Sequence, residues 1–514
     1  MKINRFLLVA LLTIGALVAT LTAPAGAILR GDDVTNVPGW IIRIDDVRDF
    51  SPAVTDCTGT LIDSEFVLTA GHCVNSGDES DYEIFRAGGT NSLEIADIIL
   101  HPGGDQFSNT IVDLALLRLS EPVVGAPILG LRQAGELEEG QDITVYGYGI
   151  NSPNGDLDLD LRSFEGSIGG LPADYPTGTD GVPLRANRRG FQTAQPGQGI
   201  CGGDSGGPSV VGNFVVGVTS NRAAPDGSDD PDAFGGFQEG ACRNGGGNAA
   251  DPAANRWVRT QIAEWACGVD LLSGTDSINR DPAFQGPNIV MSGWGETPRG
   301  GENIIIGTPS SEVLIAGTGG DNTICGRQGN DTLFGGLGAD TLYGGSGSDE
   351  IHGGGSGDTI FGGSGGDTIY GEGGADTIDG GNGFDDIFGG GSADTIDGGN
   401  GEDFIRGGSG ADTIRGSGAM DRIFGDAGND TIRGGGSADR INGGKGRDTI
   451  TGGAGDDEIN GDNGEDEING NAGDDEIDGG NGDDTLHGGA DDDHVIGGNG
   501  TDTCRTAETR ESCP

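Results

Sequence analysis

From Asp331 to Asp502 an aspartate occupies every ninth residue without a gap, and two positions after nearly every one stands Ile, Leu or Val. A segment with that period cannot fold as an ordinary globule, because each short unit has one apolar side chain and can bury it only against neighbouring units. It must stack as a solenoid. The run Gly335-Gly336-Leu337-Gly338-Ala339-Asp340-Thr341-Leu342-Tyr343 is one full unit, and Gly344 opens the next. Stacking sets the aspartates in files at the turns, where carboxylates at strand spacing repel one another unless a hard cation sits between them. Glycines let backbone carbonyls turn toward the same ion, and calcium suits such oxygen donors. A Gly/Asp/Asn-rich composition would by itself describe a solvated linker. Composition does not keep an aliphatic residue in phase, so the linker state is expected only when calcium is absent and nothing offsets carboxylate repulsion and glycine entropy.

The pattern GGxGxDxUx, with U a large aliphatic residue, resembles the hemolysin-type calcium-binding repeat of RTX proteins over residues 307–503. In that family two repeats make one turn of a parallel β-roll, xUx forming the strand and GGxGxD the calcium turn. The resemblance implies several bound Ca2+ ions and a ligand set of Asp331, Asp340, Asp349, Asp358, Asp367, Asp376, Asp385, Asp394, Asp403, Asp412, Asp430, Asp448, Asp457, Asp466, Asp475, Asp484 and Asp493. Ser356, Ser392, Ala419, Ser437 and Asp491 replace the third glycine of their units, where a left-handed backbone is wanted, and leave those sites open. The leading units are irregular too, with Val313 and Asn322 in the aspartate phase.

The 514 residues, 106 of them glycine, suffice for two or three domains and fit a globular half joined to a repeat half. A formal net charge of −54 argues against nucleic acid or an anionic membrane surface as partner. Bound calcium would cancel part of that charge. A surface adapted to high salt is a second reading, which the acidic run at 226–232 leaves open. Residues 1–27 carry Lys2 and Arg5, then an apolar stretch at 6–21, then Ala25-Gly26-Ala27. This is the layout of a cleaved secretory signal peptide, so a secreted, extracellular protein without stable membrane insertion is expected. Eight cysteines, an even number, fit an oxidising compartment. Many connectivities are open, and sequential pairing is the simplest. It would tie Cys267 to Cys325, joining the end of the first domain to the start of the roll, and Cys504 to Cys513, folding the tail over the roll's open end.

Three strings that no repeat explains carry chemistry. Leu68-Thr69-Ala70-Gly71-His72-Cys73 follows a strand-like run at 60–67, Asp113-Leu114-Ala115-Leu116-Leu117 lies in a second such run, and Gly202-Gly203-Asp204-Ser205-Gly206-Gly207-Pro208 precedes a third. Hydrolysis by a serine needs a base for its proton, an acid to hold that base in one tautomer, and donors aimed at the oxyanion. With these flanks, the order His, Asp, Ser resembles the trypsin and chymotrypsin family of serine proteases over residues 28–268. The resemblance implies Ser205 as nucleophile, His72 as general base and acid, Asp113 as the orienting carboxylate, and the N–H groups of Gly203 and Ser205 as oxyanion hole. It also implies two disulfides, Cys57 with Cys73 and Cys201 with Cys242. Gly71 stands where alanine is common in the family.

In that family, cutting frees an Ile or Val whose α-amino group pairs with the aspartate before the serine. Here Ile28-Leu29-Arg30-Gly31 follows the expected signal cut directly, and Asp204 holds the partner position. The enzyme is therefore expected to emerge ready to form the Ile28–Asp204 ion pair. The Arg30-Gly31-Asp32 triplet is read as part of a docking strand rather than an adhesion signal. By the same resemblance Gly199 is the floor of the main specificity pocket and Ile200 narrows it, which argues against Lys or Arg preference. Ser220 and Arg222 take the place of the usual wall segment, and Arg222 or Arg243 would favour acidic residues by swinging in.

The expected fold class is all-β, a chymotrypsin-like double β-barrel followed by a parallel β-roll solenoid, with one late helix at 253–267. The expected domains are a signal peptide at 1–27, a protease domain at 28–268, a linker at 269–306, the roll at 307–503 and a disulfide-capped tail at 504–514. The function expected is a secreted serine endopeptidase acting on protein or peptide substrates, its calcium roll serving for stability or as a tether to matrix or cell surface. The alternative is a calcium-dependent extracellular adhesion or binding protein with an inactive protease-like module.

Overall fold

The computed structural model describes residues 28–29, 32–34, 37–47, 57–74, 78–86, 91–100, 114–131, 142–148, 161–167, 199–201, 207–218, 242–243, 252–267, 288–292, 298, 301–317, 319–505 and 509–513. The chain divides into two compact units, residues 1–258 with 276–282, and residues 259–275 with 283–514.

The first unit is built from β-sheets of short, mostly apolar strands. A seven-stranded antiparallel sheet runs in the order Ser92–Leu93, Tyr82–Arg86, Ile41–Asp46, Cys57–Asp63, Phe66–Thr69, Ala115–Leu119, Ile95–Leu100. Its central strands Cys57–Asp63 and Phe66–Thr69 are buried at every residue, the pattern of strands covered on both faces. Ile41, Leu61, Phe66, Leu68 and Leu116 are fully buried there. A six-stranded sheet follows in the order Gly130–Leu131, Phe214–Val218, Pro208–Val211, Asp142–Gly147, Arg162–Ser167, Asp32–Asp33. Ile41 packs with Tyr148 and Leu161. The buried Thr58 is satisfied on both sides, its Oγ1 accepting the Tyr148 N–H at 3.1 Å and its carbonyl accepting the Thr69 hydroxyl at 2.9 Å. A third sheet joins Ile28–Leu29, Gly199–Cys201 and Cys242–Arg243.

The second unit is a solenoid of about twelve turns. Its strands alternate between two parallel sheets, sheet one with thirteen strands and sheet two with twelve. Each strand up to His494–Ile496 turns one aliphatic side chain inward. Ile324, Leu342, Ile360, Ile378, Ile396 and their successors on sheet one meet Leu333, Ile351, Ile369, Ile387, Ile405 and their successors on sheet two, all at most 3% exposed. Each buried aliphatic contributes roughly 2–3 kcal/mol relative to exposure, and this single file is the solenoid's core, so the stack holds only as a continuous array.

The ends depart from the sequence reading. Asn288–Met291 and Asn303–Ile306 lie within the stretch expected as a linker, yet both are strands of sheet one. The nine-residue phase hides them because the first turns are irregular: Val290 pairs with Ile305 at 15-residue spacing, Ile305 with Ile324 and Leu314 with Leu333 at 19, and only then Ile324 with Leu342 at 18. Glu312, not Val313, therefore sits beneath Asp331, its N–H donating to Asp331 Oδ1 at 2.8 Å, and Val313 is 63% exposed. The helix runs over Pro252–Cys267. Within the second unit, Arg259 Nη1 donates to the Ile289 carbonyl at 3.1 Å, Cys267 is disulfide-bonded to Cys325, and the Arg327 guanidinium lies 5.1 Å from the Trp265 ring centroid. At the other end Cys504 is bonded to Cys513, and the tail strand Thr509–Glu511 pairs in parallel with His494–Ile496.

Candidate functional site

In the first unit, His72 lies in a 3-10 turn, Gly71–Val74, directly after the strand Phe66–Thr69. The Cys57–Cys73 disulfide, with Cα atoms 6.0 Å apart, fixes that turn to the neighbouring central strand. Thr69, three residues before His72, pairs in register with Ala115, two residues after Asp113. The strand Pro208–Val211 begins three residues after Ser205. Asp113, Gly203, Asp204, Ser205, Ser220 and Arg222 lie outside the described residues. Of the residues expected at the specificity pocket, Gly199 and Ile200 are described as backbone: Gly199 pairs with Leu29, Ile200 lies between Ile28 and Arg243, and the next residue, Cys201, stands opposite Cys242.

In the solenoid the ninth-residue aspartates form two ladders, one along each edge. The Asp331 N–H donates to Asp349 Oδ1 at 2.7 Å and the Asp349 N–H to Asp367 Oδ1 at 2.8 Å, and the link recurs to Asp475 and Asp493 at 3.1 Å. The other ladder starts with Asp340 and Asp358 at 2.8 Å and ends with Asp484 and Asp502 at 3.1 Å. One carboxylate oxygen is thus used by the neighbouring turn. The other, Oδ2, is buried without a hydrogen-bond partner in all twenty aspartates from Asp331 to Asp502. Twenty orphaned anionic oxygens are not tolerable in a dry interior, since each costs about 1–3 kcal/mol or more.

Burial accordingly pushes the carboxyls up. Asp358, Asp367 and Asp430 rise to about 7, and Asp421 and Asp457 to about 6, with the backbone N–H bond pulling the other way in each. The surroundings of Oδ2 are oxygen-rich and tight. A Cβ on Gly335 would stand 2.8 Å from Asp340 Oδ2 and 2.5 Å from the Gly353 carbonyl oxygen, so only glycine leaves both oxygens facing that space. Among the described residues no three His, Cys, Asp or Glu side chains converge on one point. A cation held here would therefore draw on carboxylate and backbone carbonyl oxygens together, a donor set that fits calcium rather than a soft metal.

The doubtful turns keep the ladder. Ser356, Ser392, Ser437 and Asp491 adopt φ of 102°, 90°, 80° and 82°, while Ala419 has no positive φ. Asp358, which follows Ser356, still accepts the Asp340 N–H. Asp421 and Asp439, absent from the expected ligands, accept at 2.9 and 2.8 Å, and Asp502, also absent, does so at 3.1 Å. The unbroken nine-residue phase was the signal for all three. The second glycine is a left-handed position too. Arg327, Glu372, Ser417, Asp426, Asp462 and Asn471 replace it and all hold φ between 65° and 82°, each at a cost of about 1–2 kcal/mol.

The model of the trypsin family matches residues 36–239. That of the RTX calcium-binding nonapeptide repeat, four copies long, matches seven abutting or overlapping stretches from 316–351 to 469–504. A trypsin of Simulium vittatum is 29% identical over 232 residues, 42% of this chain and 92% of that protein. Chymotrypsin-like elastase family member 1 of Bos taurus is 30% identical over 188 residues, 32% of this chain and 67% of that protein. Among solved structures, neuropsin, a serine protease of mouse brain, aligns over 45% of this chain and 98% of its own at 19% identity and a TM-score of 0.33. With residues 36–239 as its trypsin domain and RTX calcium-binding nonapeptide repeats following it in the sequence, the chain belongs to the trypsin family and joins that family's domain to an RTX β-roll.

Proposed function

We propose that the protein is a secreted serine endopeptidase in which His72, Asp113 and Ser205 form the triad and the aspartate ladders hold calcium. The trypsin-family match carries the catalytic reading, because residues 36–239 include all three strings in the family's order. The register adds support: Thr69 opposite Ala115 brings the chain segments that lead to His72 and Asp113 to one end of two adjacent strands. In this reading His72 takes the Ser205 proton as Ser205 attacks the substrate carbonyl, Asp113 holds the imidazole tautomer, and the N–H groups of Gly203 and Ser205 receive the oxyanion. Substrates are proteins or peptides. Gly199 and Ile200 favour apolar or small side chains at the cleavage site, and Arg222 or Arg243, the latter in register with Ile200, would bias it toward acidic ones.

The ladder aspartates would hold calcium through Oδ2, with the glycine carbonyls beside them. When bound, the ion neutralises the carboxylates that burial otherwise penalises. Secretion accords with residues 1–27 and with the disulfides. No helix among the described residues is long and apolar enough to cross a membrane. Activation by the new N-terminus accords with Ile28 pairing with Ile200, four residues before Asp204.

Ser205→Ala is expected to lower peptide hydrolysis roughly ten-thousand-fold or more and to abolish labelling by an organophosphate. Wild-type protein that is never labelled would instead favour a binding module with an inactive site. N-terminal sequencing of the secreted protein should begin at Ile28; any other start removes the Ile28–Asp204 pair from the mechanism. The raised carboxyl pKa values fix a sign for the metal-free roll. Protonated aspartates stabilise it fully below about pH 4, and that contribution is lost as pH rises through about 7. In EGTA the β-signal in circular dichroism should therefore grow as pH falls from about 8 to about 5, while in calcium it stays flat. A full β-signal in EGTA at pH 8 would contradict the calcium reading.

A further inference from the structure

The outer face of sheet one carries a charge pattern that the roll itself does not use. Along its strands Ile378, Ile396, Ile414 and Ile432 point inward, so the residues on either side of each point outward. On one side runs a row of threonines in register, Thr377, Thr395, Thr413 and Thr431. On the other side Asp379 lies next to Asp397, Asp397 next to Arg415, and Arg415 next to Arg433. Two like-charge pairs therefore sit at adjacent strand spacing, an arrangement that costs stability. Asp379, Arg415 and Arg433 are exposed and make no hydrogen bond or ion pair among the described residues, while Asp397 accepts only the Ser417 hydroxyl, at 2.7 Å. Burial and the neighbouring Asp397 hold the Asp379 carboxyl above its ordinary value.

Sheet two has a like-charge column of its own, Arg422, Arg440, Glu458 and Glu476 in register, but closes it at its centre within the roll. Arg406 pairs with Asp426 at 2.6 Å and Arg440 with Glu458 at 2.8 Å, Arg422 lies over the Phe404 and Phe424 rings, and His352 meets Glu372 at 3.0 Å. Sheet one leaves its charges as the column Asp, Asp, Arg, Arg. Read in the opposite direction that column is its own complement, which is the requirement for a two-fold interface between identical chains.

We propose that the folded roll self-associates through the outer face of sheet one. Two copies pack face to face with roll axes antiparallel, about a two-fold axis between strands Thr395–Asn400 and Thr413–Ser417, so that Asp397 meets Arg415 and Asp379 meets Arg433 of the second copy. The threonine row keeps the contact flat and lets the faces approach to about 10 Å. The same axis sets the bulky Phe361 against Thr451 and Tyr343 against Asn469, large opposite small, since these residues extend the column in register. Eight overlapping strands at ~4.8 Å spacing and about three residues of width bury on the order of 800 Å² in total, the size of a weak, concentration-dependent dimer. Ion pairs at its centre make it salt-sensitive.

The inference presupposes the folded, calcium-loaded roll, and circular dichroism on the same samples separates loss of folding from loss of association. Sedimentation equilibrium of the full chain in calcium, from about 1 to about 200 µM, should show a monomer–dimer equilibrium that shifts to monomer as sodium chloride is raised. The all-acid column (Arg415→Asp with Arg433→Asp) and the all-base column (Asp379→Arg with Asp397→Arg) should each dimerise at least about tenfold more weakly. Mixed one to one, the two variants should recover association as a heterodimer. Should either variant lose β-signal, Asp379→Asn with Asp397→Asn takes its place and should also weaken the dimer. A wild-type chain that stays monomeric throughout, folded variants that dimerise like wild type, or a mixture that stays monomeric overturns the proposal.

Discussion

The buried aspartate carboxylate is the group on which the second half of the molecule depends. One oxygen is committed to the N–H of the aspartate one full turn earlier, and that bond welds successive turns together at 2.7–3.1 Å. The other is buried and unpartnered, twenty times over. The bond that gives the solenoid its regularity thus also orients an anion toward a place where only a cation relieves it. Glycine follows from the same constraint, since a Cβ at the first position of the unit would fill the space between that oxygen and a neighbouring carbonyl. The inward aliphatic file supplies the remaining cohesion, and it cannot act alone, because each residue of the file touches only its own and adjacent turns.

Such an array is quasi-one-dimensional, so its ends matter more than those of a globule. At the leading end of the Asp340 ladder the aspartate series gives way to neutral amides, with the Asn303 N–H donating to Asn322 Oδ1 and the Asn322 N–H to Asp340 Oδ1. That substitution continues the backbone ladder without adding a carboxylate. The Cys267–Cys325 bond anchors the helix end to this part of the roll, and the Cys504–Cys513 bond holds the tail strand at the other. Both devices restrict fraying where neighbouring turns are missing.

Much of this was legible in the sequence because two periods coincide: aspartate every ninth residue, and an aliphatic residue two positions later. Periodicity fails where the period changes. One extra residue between Leu314 and Ile324 moved Glu312 into the place assigned to Val313, and a 15-residue step concealed the strands Asn288–Met291 and Asn303–Ile306. Attention to the third glycine likewise missed the second, where Glu372 or Asn471 carries a left-handed backbone that no composition argument flags. The Asp, Asp, Arg, Arg column was invisible for another reason, as its members lie 18 residues apart and become neighbours only through the parallel register. In the protease half the strings around His72, Asp113 and Ser205 spoke for a reaction class, and register relates the strands beside the first two. Pocket selectivity resists sequence reading because it depends on loop geometry.

The central physical claim is that the ladder oxygens exist for cations. Its most direct test is the number of calcium ions bound per folded chain, measured by equilibrium dialysis followed by elemental analysis. A stoichiometry on the order of ten to twenty is expected, in proportion to the buried aspartates, and it should fall with each ladder aspartate changed to asparagine. A chain that is fully β-folded with no more than one or two bound ions would contradict it.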